Sequence, residues 1–109
     1  MVSGLEKQII ARALEIISMR ERWTRETWAR TSNYQPCNWA DPAAVKFCAA
    51  GALNRAAIEV VNGWGCSRAI AAEELIMAAN ERVGEGLPKI NDEEGHEVVV
   101  AMFKTALER

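Results

Sequence analysis

Residues 47–57 read "FCAAGALNRAA", and nine of these eleven are Phe, Cys, Ala, Gly or Leu. The composition favours helix, yet Gly51 interrupts it, at a cost of about 1 kcal/mol relative to Ala in a helix interior. Two explanations compete. Either Cys48 is a working nucleophile, or the stretch is a surface against which another backbone packs closely. Ala44, Cys48, Ala52 and Ala56 stand four apart and would form one stripe down a helix, with Gly51 beside it. Small side chains there would let a neighbouring helix approach closely, while Val45, Phe47 and Leu53 supply bulk on either side. In that arrangement Cys48 is a small apolar core residue.

Upstream, Asp41 suits an N-cap and Pro42 the first helical position, so the spacing predicts a central helix from there to about Val61. Asn62-Gly63 would stop it. The preceding "TSNYQPCNWADP" is polar and broken by Pro36 and Pro42, hence a loop. It carries Tyr34, Cys37 and Trp39, which either fold back as a lid on the core or anchor an interface. Bulky apolar surface is seldom left open, which favours the lid. "RWTRETWAR" predicts a second helix start, with Thr24 as N-cap and Trp23 and Trp28 spaced as a hydrophobic staple. At the N-terminus, Ser3 and Glu6 form a capping-box pattern. Leu5, Ile9, Ala13, Ile16 and Ile17 follow at helical spacing, so a helix should run to about Met19 or Arg22.

Downstream, "NGWGCS" reads as a tight connection with Ser67 as cap. The next helix, about Arg68 to Arg82, shows Ile70, Ala71, Leu75, Ala78 and Ala79 on one face. "VGEGLPKINDEEG" reads as the second long loop. The last helix, starting between Asp92 and Glu97, aligns Val99, Met102, Phe103, Ala106 and Leu107. The acidic run Asp92, Glu93, Glu94 and Glu97 would complement its dipole. A divalent cation there would need converging oxygens that one helical turn rarely supplies. No strand signal is present. The expected fold is all-α: a compact single-domain bundle of four to five helices over residues 1–109, with two long ordered loops.

Length and composition suit one globular domain, half of it apolar. Glu6, Lys7, Arg12 and Glu15 interrupt the first apolar stretch, which argues against a secretory leader. No run of about 20 apolar residues exists to span a membrane. Three cysteines without framework spacing suggest reduced thiols and a cytoplasmic setting. The net charge of −2 splits into +3 over residues 1–58 and −5 over residues 59–109. Such halves can attract within one chain or between two copies, although dispersed surface charge is mostly just solvated.

Chemistry-bearing residues are few. Catalysis by Cys48 needs a lowered thiol pKa and a base. The one histidine, His96, with Asp92 near it, could complete a Cys-His-Asp group only if the fold brought the three together. Cys37, Cys48, Cys66 and His96 have zinc-ligand chemistry but no short ligand spacing. No cofactor is implied. Arg20, Arg22, Arg25 and Arg30 lie among two tryptophans, as in some nucleic-acid binders, but Glu21, Glu26 and the acidic whole oppose this. Asn91 and Asp92 favour turns and backbone bonding. A pocket among Trp39, Cys48, Asn91 and Asp92 is the first place to look for a ligand.

Together, Trp23, Asp41-Pro42, the Cys48-x-x-Gly51-Ala52-Leu53 motif and the Asn91-Asp92 pair resemble a family of small bacterial proteins known only as a domain of unknown function. The resemblance spans most of the chain and implies an all-helical fold, without an activity. Three function classes follow. The first is a protein–protein interaction module presenting Arg22, Arg25, Trp28, Tyr34 and Trp39 to a protein partner or a second copy. By analogy with compact acidic phage or mobile-element proteins, it would regulate or inhibit a host machine. The second is a small enzyme or ligand-binding protein using Cys48, His96 and Asp92. The third is a nucleic-acid binder through Arg20–Arg30. Size, surplus tryptophans and the lack of a catalytic set favour the first.

Overall fold

The structure is a computed structural model that describes residues 4–61 and 66–109. In chain order it contains α1 (Gly4–Ile17), a 3-10 turn (Arg20–Arg22), β1 (Ala29–Arg30), β2 (Pro36–Cys37) and β3 (Lys46–Phe47). Then come α2 (Ala49–Val61), α3 (Cys66–Ala79), α4 (Leu87–Glu93) and α5 (His96–Leu107). The fold is mostly helical, as the periodicity requires. Helix α1 buries Ile9, Ile10, Ala13, Ile16 and Ile17, packing against α2, α3 and α5. One core collects these with Leu53, Ile76, Leu87, Ile90, Val99 and Phe103. Each such aliphatic or aromatic side chain contributes about 1.5–3 kcal/mol by leaving water. Among the described residues, no helix is long and apolar enough to cross a membrane.

Several expectations are corrected. No helix starts at Thr24. Its N–H goes to the Phe47 carbonyl (3.0 Å), and the chain continues into β1, the centre of a three-stranded antiparallel sheet ordered β2-β1-β3. Trp23 and Trp28 therefore form no staple. The central helix starts at Ala49 rather than Asp41. Asp41 instead closes a local turn, its Oδ1 accepting from the Ala43 N–H (2.8 Å). Val45 N–H then bonds the Arg30 carbonyl (2.9 Å) and leads into β3. The strong local start at Asp41-Pro42 loses to pairing with β1. Ala44 and Cys48 are buried but precede the helix.

Within "VGEGLPKINDEEG" lies a further short helix, α4, whose first turn holds Pro88. Asp92 and Glu93 belong to its end, not to the start of α5, which begins at His96. The buried Glu6 carboxylate takes Arg68 of α3 at 3.0 Å. Ser67 lies inside the first turn of α3. Ser3 of the expected capping box, and Asn62, Gly63, Trp64 and Gly65 of the expected tight connection, lie outside the described residues.

Candidate functional site

The site is built where the loop from Trp23 to Phe47 meets the N-terminus of α2. Leu87 and Ile90 hold α4 in the core, which places Asn91 against that N-terminus. Asn91 is fully buried. Its Oδ1 accepts from the Ala49 N–H (2.9 Å) and from the Trp23 indole Nε1–H (2.7 Å). Its Nδ2 donates to the Thr24 carbonyl (3.0 Å). One amide thus caps a helix that starts 42 residues away in sequence and fixes the beginning of the loop. Cys48 stands at the capping position itself, its Sγ accepting from the Gly51 N–H (3.2 Å). These bonds satisfy donors that a helix start otherwise leaves open.

The opening question is answered at Gly51. The Trp28 carbonyl accepts from the Cys48 N–H (3.1 Å) and lies directly over Gly51. A Cβ added there would stand 2.1 Å from that oxygen and 3.0 Å from its carbon. Another backbone does pack closely here, but it is the chain's own aromatic loop at Trp28 and not the neighbouring helix that the small-residue stripe suggests. A second clamp lies beside it. Glu26 adopts left-handed backbone (φ 69°), which costs a non-glycine residue on the order of 1 kcal/mol. Its N–H donates to Asp92 Oδ1 (2.9 Å).

Cys48 and Asp92 share a recess of about 250 Å³ with Glu26, Thr27, Trp28 and Pro88. Asn91 lies buried beside it, and Trp39 reaches its edge through Trp28. The two indoles meet edge to face with centroids 5.1 Å apart. Burial pushes the Cys48 thiol above its ordinary value. The Gly51 and Ala50 amides pull it down, and the Asp92 charge pushes it further up. The protonated thiol is therefore the form present near neutrality. His96 is committed elsewhere: its buried ring bonds the Ile17 carbonyl through Nε2 (2.5 Å) and tilts against Trp23 at 5.6 Å. Because a carbonyl only accepts, that nitrogen carries the proton. Among the described residues, no hydrogen bond joins His96 to Cys48 or Asp92. Among them, too, no three His, Cys, Asp or Glu side chains converge on a metal position. The Cys66 side chain lies outside the described set. Iodoacetamide at pH 7.5 is expected to alkylate half-buried Cys37 well before Cys48, which should react at least about tenfold more slowly than after unfolding. Peptide mapping checks this; rapid Cys48 labelling of native protein would contradict the buried, protonated assignment.

The other named residues form the outer surface of the loop. Trp28 is 44% and Tyr34 58% exposed, whereas Trp39 and Cys37 pack partly onto the core. The loop is thus lid and exposed surface at once. Arg30 ties it together, bonding Thr24 Oγ1 (2.9 Å) and the Tyr34 carbonyl (3.2 Å), with its guanidinium 4.2 Å from the Tyr34 ring centroid. Arg25 acts as a strut, bonded to the Glu94 carbonyl (2.7 Å) and lying over the Trp23 ring. Arg22 faces a different cleft, with Arg12 and Arg55. Sequence reasoning missed Glu26, Thr27 and Pro88 as lining of this recess: Glu26 meets Asp92 of α4 and Pro88 stands on α4, a helix too short to show periodicity.

No curated protein and no solved structure matches this chain. Residues 2–109 match the model of a family of unknown function, and the chain belongs to that family, DUF6197.

Proposed function

We propose that the protein is a protein–protein interaction module whose docking face is the loop surface centred on Trp28, Trp39 and Tyr34. One observation carries this reading: an exposed tryptophan sits on immobilised backbone. The Trp28 carbonyl is bonded to Cys48 and wedged over Gly51, and its ring leans on Trp39. Large aromatics held in place bind with little ordering cost, which is why Trp and Tyr recur as interface anchors. Arg25 and Arg30 spend their donors on the chain's own carbonyls and Thr24. That use stiffens the face and leaves less charge for a phosphate backbone, favouring a protein partner over nucleic acid.

The experiment is photo-cross-linking in the source cells. A photoreactive residue replaces Trp28 in one strain and Ile70, exposed on α3, in another. One dominant adduct at position 28, absent at 70, is expected. Equal yields at both positions, or none at 28, would overturn the reading.

A further inference from the structure

On the other side of β3 lies a cleft of about 290 Å³ into which three arginines project from three elements: Arg12 of α1, Arg22 of the 3-10 turn and Arg55 of α2. Phe47, buried, forms part of its floor. One carboxylate, Glu59, also lines it. Glu59 takes Arg12 at 3.1 Å, and Arg12 is shared with Glu15 at 3.9 Å. Among the described residues, the other two cations have no ion-pair partner. Arg55 donates through Nη1 to the carbonyls of Trp39 (2.9 Å) and Asp41 (3.1 Å), and its guanidinium lies 5.8 Å from the Phe47 centroid. These contacts aim the side chain without neutralising it. The Arg22 side chain makes no hydrogen bond or ion pair among the described residues; its backbone N–H bonds the Met19 carbonyl (2.9 Å). Two uncompensated guanidiniums therefore face one cleft, one fixed and one free to close.

We propose that this cleft binds a small dianion, a phosphate monoester or a dicarboxylate, held by Arg55 and Arg22. Guanidinium forks suit such oxygens because they donate paired, charge-assisted hydrogen bonds. The volume is near the lower end of the range of small-molecule sites, about 300–1,000 Å³. Glu59 has a defined part in this site: it neutralises Arg12 and, lining the same cleft, repels an anion. The site meets the docking face at the Trp39 carbonyl, which holds Arg55, but it does not rest on a partner binding there.

The test is titration of the full chain with inorganic phosphate and, separately, succinate at low ionic strength, followed by amide and arginine side-chain NMR shifts. Saturable shifts centred on Val45, Phe47 and the Arg55 Nε–H are expected for at least one probe. Arg22→Ala, exposed and unpartnered, should fold normally and weaken binding at least about tenfold. Glu59→Gln should strengthen it by about threefold or more, because a competing charge is removed. Tighter binding of phosphate assigns a phosphate monoester, and tighter binding of succinate a dicarboxylate. Either probe binding with affinity unmoved by both variants, or no saturation by about 20 mM of either probe, would overturn the proposal.

Discussion

Gly51→Ala is expected to destabilise the fold by about 3 kcal/mol, the upper part of the overpacking range, lowering the melting temperature by about 15 °C. The direction is the test. Helix propensity alone would make this substitution stabilising by about 1 kcal/mol, since Gly51 lies inside α2. The new methyl would instead stand 2.1 Å from the Trp28 carbonyl oxygen. That atom is backbone and cannot swing aside as a side-chain tip could. It is also bonded to the Cys48 N–H, so displacing it breaks the contact that seats the aromatic loop. Thermal unfolding followed by circular dichroism reads the result. A melting temperature equal to or above that of the parent chain would show that nothing presses on Gly51.

Asn91→Ala is expected to cost about 4 kcal/mol. The buried amide serves three groups at once: the Ala49 N–H, the Trp23 indole and the Thr24 carbonyl. Truncation strands them where water does not readily reach, at about 1–3 kcal/mol each before relaxation. Asp92→Ala supplies the contrast. It loses the bond to the Glu26 N–H at an exposed position and a long 3.4 Å bond from Asn91 Nδ2, so about 1 kcal/mol is expected. Urea midpoints for the two variants measure the difference. Near-equal losses would mean that Asn91 does not bear the junction.

Much of the helical frame is legible in the residues. Ile9, Ala13, Ile16 and Ile17 place α1, and Val99, Met102, Phe103 and Ala106 place α5, because 3.6-residue periodicity is local information. Gly51 is legible too, since a helix tolerates that cost where something approaches closely. The region from Trp23 to Phe47 is not. Thr24 and Asp41-Pro42 carry good local helix signals, but Ala29 and Arg30 pair with Lys46 and Phe47 on one side and Pro36 and Cys37 on the other. Strand pairing depends on distant partners, and these strands are only two residues long. The cap on α2 is hidden for the same reason. Asn91 looks like a turn residue, and nothing near it in sequence reveals that its oxygen reaches Ala49. Cys48 and Asp92 come together because α4 packs on α2, whereas His96 turns toward Trp23 and Ile17.

The proposed function rests on Trp28 being an anchor held ready by the α2 junction. The most direct measurement is calorimetric affinity for the protein captured at position 28, comparing the parent chain with Trp28→Ala and Ile70→Ala. The expected result is at least about a 30-fold loss for Trp28→Ala, the scale of an interface hot spot. Ile70→Ala should stay within about threefold of the parent chain. Unchanged affinity on removing the Trp28 indole, with the melting temperature preserved, would contradict the assignment of this face as the docking surface.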